Sequence, residues 1–208
     1  MTIEELENLN IYSINKLDRE ATNHFSLKAH ETSDYFWYGS QTLPLLFLAG
    51  EKSRNEFGKI MVLYAEAAIL NSGLTLLTKY TVRRLRPFNF DPETSLDKKT
   101  GVNARASFFS GHTSITATNS FFAAKVFSEY YPNSRWKPVV WTAAATIPAI
   151  TAYLRVRGGR HYPTDVITGY IVGAAGGYLI PHWHRNKTKL KNVNFNMGIN
   201  SAYVSLKF

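Results

Sequence analysis

The chain has 208 residues, with 24 Lys and Arg against 15 Asp and Glu for a net charge of +9, and no cysteine. That length supports one domain with a substantial core, and the missing cysteine excludes thiol catalysis, disulfides and cysteine-bound zinc. The charge suits anionic partners, namely phosphate esters, acidic lipid surfaces or nucleic acid, of which nucleic acid fits worst because no long Lys/Arg run or base-reading motif is present.

In chain order, Thr2-Ile3-Glu4-Glu5 has the capping-box pattern, and Leu6, Leu9, Ile14 and Leu17 would line one side of a short helix or a broken pair. An aromatic-rich segment starts at Ser33 or Asp34, passes Tyr35-Phe36-Trp37-Tyr38 and continues to Ala49, with a break at Pro44. A long helix is predicted from about Asn55 to Tyr80, with Gly73 at a close packing contact. Proline disfavours helix at the preceding residue, so Arg86-Pro87 ends this run, and turn-rich Phe88 to Ala106 reads as a long loop. Further helices are predicted from His112 to Tyr130, from Pro138 to Leu154 and from Pro163 to about Trp183. Alternation over Val193 to Met197 and Tyr203 to Phe208, around a turn at Gly198 to Ser201, predicts a short β-hairpin. The organisation is therefore an all-α helical domain over 1–191 and a tail over 192–208.

The uncharged stretches Val139 to Leu154 and Val166 to Ile180 fall just short of the roughly 18–20 residues of a spanning helix, and read as buried helices of a soluble bundle in preference to membrane spans. The basic cluster Arg185 to Lys191 reads as a solvated tail or a membrane-surface patch. No leader pattern opens the chain, which leaves a cytoplasmic protein or one whose signal peptide has been removed.

Three segments carry the chemistry. Lys79 and Arg86 stand seven residues apart, two helical turns, which would set them on one face, with Arg83 and Arg84 facing solvent. Ser110-Gly111-His112 precedes a helix, so Ser110 would cap it while glycine lets backbone N–H groups approach an anion. Arg155, His161 and Asp165 form the third group: a carboxylate four residues after a histidine can fix its tautomer and leave the other nitrogen free to attack. Three cations, two histidines and one carboxylate make a kit for phosphoryl transfer. No compact metal-ligand motif is present, and His182 and His184 are remote from the other histidines.

Lys79, six residues, Arg86-Pro87; Ser110-Gly111-His112; Arg155, five residues, His161, three residues, Asp165: together these resemble the tripartite signature of the type 2 phosphatidic acid phosphatases. That superfamily includes bacterial acid phosphatases and vanadium haloperoxidases. The resemblance implies a helical bundle with the site between helix ends. It implies His161 as the nucleophile forming a phosphohistidine, Asp165 as its orienting partner and His112 as the acid and then the base. Lys79, Arg86 and Arg155, helped by Ser110 and Gly111, would clamp the phosphate. No metal or other cofactor is implied, although vanadate would fit the same clamp.

The chain departs from the family at Phe109, where Pro is usual, and at Leu154, where Ser is usual. These changes predict altered efficiency rather than loss of activity. The implied function is a metal-independent phosphomonoesterase acting on a lipid phosphate or pyrophosphate, or on a small phosphate ester. It would be periplasmic or membrane-associated, with a membrane surface as partner and no nucleic acid. A soluble broad-specificity acid phosphatase, a vanadium haloperoxidase and a non-catalytic phosphate-binding module are the alternatives.

Overall fold

A computed structural model of the chain describes residues 3–187, 193–198 and 201–206. The N-terminal segment is a broken pair: α1 (Ile3–Glu7), a 3-10 turn at Ile11–Ser13 and α2 (Lys16–Arg19). The predicted Thr2 cap lies outside the described residues, and Leu17 points to the exterior. Asp18, not an apolar residue, is what this segment buries.

α3 (Leu27–Gln41) starts earlier than the aromatic run, because the Ser26 side chain accepts from the Ala29 N–H at 3.2 Å and caps it. The chain breaks near Pro44 as expected, into a 3-10 segment (Leu43–Leu48), then α4 (Glu51–Asn55) and the 26-residue α5 (Phe57–Val82). Arg83 takes a left-handed conformation (φ 49°) and closes α5 four residues before Pro87. The predicted loop holds α6 (Leu96–Thr100) and two 3-10 turns.

α7 (Gly111–Tyr130) is the central helix, surrounded by α3, α5, α8 (Lys137–Arg157) and α9 (Pro163–Lys187). Gly169, Gly173 and Gly177 recur every fourth residue and put one bare face of α9 on α7. A Cβ at these positions would sit 2.6 Å from the Ser110 carbonyl oxygen, 2.1 Å from that of Ser114 and 2.3 Å from that of Thr118. Only glycine permits so close an approach of two backbones. Gly73, by contrast, has nothing within 4 Å of where its Cβ would stand, so the predicted contact there is absent.

The buried face of α7 is built of small and polar residues: Thr113, Ser114, Thr116, Ala117, Thr118, Asn119 and Ser120. The Ser114 hydroxyl donates to Asn71 Oδ1 of α5, the Thr118 hydroxyl to the Ser114 and Gly173 carbonyls, and Asn119 Nδ2 to Ser40 Oγ of α3, whereas the buried hydroxyls of Thr116 and Ser120 have no partner among the described residues. The larger apolar core, Phe47, Ile60, Phe122, Val126 and Ile180, lies farther down the bundle. Phe122 is ten residues along α7 from His112, about 15 Å by helix rise.

The expectation of buried apolar helices does not hold. α5 and α8 are long and apolar enough to cross a membrane, and most of each lies on the outside. Ile69 is 69 % exposed and Leu77 60 % exposed on α5, and Val139, Ile150 and Tyr153 are exposed on α8. On α9, Ile167, Ile171 and Leu179 also face outward. Glu66, which interrupts the apolar run of α5, pairs with His184 Nε2 at 2.9 Å. Past α9, β1 (Val193–Gly198) and β2 (Ser201–Leu206) pair antiparallel, Val193 opposite Leu206, as the hairpin pattern predicts. The residues of the turn between them, like most of the basic cluster to Lys191, lie outside the described residues.

Candidate active site

The ends of four helices meet at one end of the bundle. α5 and α8 arrive by their C-termini with Lys79 and Arg155; α7 and α9 begin there with Ser110-Gly111-His112 and, in the first turn of α9, Asp165. Helix N-termini carry unsatisfied N–H groups and partial positive charge, so two of them at one point favour an anion. The Ser110 N–H donates to the Asp165 carbonyl oxygen at 3.0 Å, which joins the two N-termini directly. All eight residues singled out from sequence lie in this region.

Lys79 and Arg86 do not share a helical face, because α5 ends at Val82. They converge because both donate to one carbonyl oxygen, Ala106, Lys79 Nζ at 2.8 Å and Arg86 Nη2 at 3.1 Å. The loop is pinned there by the Arg86 N–H on the Ala104 carbonyl (2.9 Å) and the Ser107 N–H on the Arg84 carbonyl (3.0 Å). Arg86 and Arg155 are both buried, and each keeps a buried Nε–H without a partner among the described residues. Buried donors are seldom left unpaired in a folded protein. Ser110 caps α7 as predicted, with its hydroxyl 3.0 Å from Thr113 Oγ1. Gly111 packs against Lys79: a Cβ there would stand 3.9 Å from Lys79 Cε and 3.2 Å from Thr75 Cγ2.

His161 is 1 % exposed. Its Nδ1 lies 2.7 Å from the Ser107 carbonyl oxygen, which can only accept, so Nδ1 carries the proton and Nε2 presents a lone pair. Burial, followed by the charges of Arg86, Arg155 and Lys79, holds this imidazole well below its ordinary range and keeps it neutral. Asp165 Oδ2 is 3.7 Å from Nδ1, farther than a hydrogen bond. The expected direct hold is replaced by an indirect one: Asp165 accepts from the Ser107 hydroxyl at 2.5 Å, from the Tyr162 N–H at 3.0 Å and from Arg84 Nη1 at 2.5 Å. It thereby fixes the loop that offers the Ser107 carbonyl to His161.

Arg83 is exposed as expected, whereas Arg84 turns inward. It bridges Asp165 and Asp18, the latter at 2.5 Å, and lies over the Tyr162 ring at 4.2 Å. Asp18 in turn accepts from the Thr164 N–H at 2.9 Å and its hydroxyl at 2.6 Å, so a residue 146 positions away caps the start of α9. Burial works to raise the Asp18 carboxyl, but the bonds from Thr164, Arg84 and Asn15 outweigh it and hold the group below its usual range.

α3 supplies the groups that the sequence reading missed. His30, Ser33 and Asp34, at i, i+3 and i+4, occupy one face and meet the third motif. Arg155 Nη1 donates to His30 Nδ1 at 3.0 Å, to Ser33 Oγ at 3.1 Å and reaches Asp34 Oδ1 at 3.4 Å. The hydroxyl on Arg155 therefore comes from Ser33, while position 154 is leucine. His112 Nε2 lies 2.9 Å from the same Asp34 oxygen, and its ring meets Trp37 at 4.9 Å between centroids. The i, i+3, i+4 spacing of His30, Ser33 and Asp34 is the signal the sequence carries, but their partners on α7 and α8 are not visible there. Phe109 is buried, with its ring edge-on to Phe108 at 6.1 Å, and the peptide bond between them is cis. Beyond Lys79 opens a cavity of about 410 Å³, lined in part by Leu76, Tyr80, Arg83, Val102 and Arg105. Among the described residues no group of three or more His, Asp or Glu side chains is gathered to hold a metal ion.

An undecaprenyl-diphosphatase of Sulfolobus acidocaldarius is 29 % identical over 142 residues, 68 % of this chain and 60 % of that protein. Lipid A 1-phosphatases of Rhizobium johnstonii (34 % identical, 67 % of this chain, 54 % of that protein) and Porphyromonas gingivalis (31 %, 67 % and 28 %) also match. The chain thus spans between about a quarter and three fifths of these relatives' lengths. The crystal structure of a transmembrane PAP2-type phosphatidylglycerolphosphate phosphatase from Bacillus subtilis shares the fold, with a TM-score of 0.58 at 21 % identity over 81 % of this chain and 82 % of that one. The family described as the PAP2 superfamily matches residues 60–189, a stretch that holds all three motifs and the helix ends that join them, and the chain belongs to it.

Proposed function

We propose that the protein is a lipid phosphate or diphosphate phosphatase that works through a phosphohistidine on His161 without a metal. The observation that carries this reading is the pairing of a neutral, fully buried imidazole whose Nε2 lone pair is free with two buried guanidinium groups that each hold an unpartnered donor. In the first step Nε2 attacks phosphorus, the bond to the leaving oxygen breaks, and His112 gives that oxygen its proton. In the second, His112 takes a proton from water as its oxygen attacks phosphorus, the P–N bond breaks and inorganic phosphate leaves. Lys79, Arg86, Arg155 and the N-terminus of α7 neutralise the non-bridging oxygens, and removing one such donor typically costs roughly 10²–10³ in rate. Ser110 closes the α7 N-terminus that faces the anion.

The exposed apolar residues of α5 and α8 support a lipid substrate over a soluble one, since a water-soluble bundle would bury them. The two helices would cross the membrane and hold the site at its surface, facing the periplasm. The names of the relatives point the same way. Vanadate, a phosphate look-alike, would occupy the clamp as an inhibitor.

Purified protein in detergent should release phosphate from phosphatidic acid, from a polyprenyl diphosphate and from p-nitrophenyl phosphate in EDTA. A phosphoenzyme stable to alkali and labile to acid should be trapped in wild type and be missing in His161→Ala. A folded protein that hydrolyses none of these, or a phosphoenzyme that survives His161→Ala, would sink the proposal. Vanadate- and peroxide-dependent halogenation in its place would identify a haloperoxidase. Because the chain has no cysteine, a single cysteine placed at Asp97 can be labelled from either side of the membrane to test the orientation.

A further inference from the structure

We infer that Asp34 of α3, outside the three motifs, is the positioning residue of His112: it holds the ring by Nε2 and leaves Nδ1 to carry the proton of the reaction. The inference rests on the phosphatase reading above and goes beyond it. Asp34 Oδ1 is 2.9 Å from His112 Nε2. An ionised carboxylate only accepts, so Nε2 is the protonated nitrogen of the neutral ring. Nδ1 has no hydrogen-bond partner among the described residues and is not among the buried, unpaired atoms, so it stays open to a ligand or water. Trp37, one turn beyond Asp34, fixes the ring plane.

Two consequences follow for proton transfer. In the neutral ring the Nδ1 lone pair is the base that takes a proton from water. In the charged ring Nδ1–H is the acid that protonates the leaving oxygen, while Nε2–H stays on Asp34 through both steps. The carboxylate also opposes the surrounding positive charge. His112 faces Arg155 of α8, Arg86, His30 of α3, Lys79 of α5 and His161. Asp34 is the acid in hydrogen-bond contact with it. Arg155 keeps its own bonds to His30 and Ser33 when Asp34 is removed, so loss of Asp34 should leave the clamp largely in place.

The test uses Asp34→Ala and Asp34→Glu in the full chain. An alkyl phosphate leaves poorly and needs the acid; p-nitrophenolate leaves without it. For Asp34→Ala, kcat/KM on the alkyl phosphate should fall roughly 10²-fold and on p-nitrophenyl phosphate less than about 3-fold. The alkaline limb of the alkyl phosphate profile should move to lower pH, because removing a negative neighbour makes His112⁺ easier to deprotonate. Asp34→Glu should recover part of the loss. Independently of turnover, ¹⁵N shifts of labelled histidine should report the Nε2–H tautomer for His112 in wild type and its loss in Asp34→Ala. Equal losses on both substrates, or an unchanged tautomer, would overturn the inference. A wild type without phosphatase activity would remove the reading beneath it, and the ¹⁵N spectrum would still decide whether Asp34 sets the ring.

Discussion

The two histidines of the site are held in opposite ways. His161 is sealed in, with Nδ1 on a backbone carbonyl, and its carboxylate acts one step away through Ser107. His112 is a quarter exposed as a side chain and sits directly on a carboxylate that is itself a third exposed. A neutral carbonyl fixes a tautomer without adding much basicity, whereas a carboxylate does both. The first arrangement suits a nucleophile whose lone pair must always face the same way. The second suits a group that must gain and lose a proton in each cycle.

The contrast can be broken at several points. His161→Ala should remove all turnover while leaving vanadate binding measurable by its protection against thermal unfolding; residual turnover above background would assign the nucleophile elsewhere. His112→Gln should lower kcat/KM on alkyl phosphates by roughly 10²–10⁴-fold and on p-nitrophenyl phosphate far less. Equal losses would make His112 a binding residue. Arg84→Ala leaves buried Asp18 and Asp165 without their shared cation, which should cost about 3–5 kcal/mol of stability by denaturation in detergent. It acts on the His161 side, so the ¹⁵N signature of His112 should not change.

Asp18→Asn should cost about 1–3 kcal/mol near neutral pH. Its folded carboxyl is held below the usual range, so its contribution is complete above the unfolded value of about 4 and fades as pH falls through the folded one. The gap between wild type and variant should therefore close on acidification, and a constant gap would show that charge is not the cause. The smallest effect is a fractional proton. Burial and then Arg155, Arg86, His30 and Lys79 push His112 down to about 2 in the free protein. A bound dianion screens those charges and raises it, so phosphate binding should take up protons and strengthen as pH falls. Calorimetry in two buffers of different ionisation enthalpy, at a pH where phosphate is the dianion, should show this uptake, and His112→Gln should lose it.

A second comparison concerns the surface. The interior of the bundle around α7 is small and polar, whereas the outside of α5, α8 and α9 carries large apolar residues. Hydropathy along the chain could not separate this from a soluble bundle, because Thr, Gly and Asn dilute the apolar count of each helix. Which face of a helix those residues occupy decides the matter, and that depends on the neighbours. The bare face of Gly169, Gly173 and Gly177 shows the same point. A four-residue glycine repeat is visible in the sequence, but the partner that needs it, the α7 backbone, is not.

Much of the site was legible because its residues are local. Ser110 at a helix start, and Asp165 one turn after His161, obey short-range rules of capping and helical spacing. Lys79 and Arg86 come together through a carbonyl 20 or more residues later rather than through the common helix face that their spacing predicts. Arg84 was misread because its partners, Asp18 and Asp165, are 66 and 81 residues away.

The amino-acid sequence by itself determined the helices, their order and the three motifs, because capping, proline and periodicity act within a few residues. It also determined the net positive charge and the family signature. Only the tertiary structure decided which imidazole nitrogen is free, which cation is buried and which residues face outward. Those depend on hydrogen bonds between segments far apart in the chain, and a carboxylate on α3 or α2 acquires its role only when packing brings it against α7, α8 or α9.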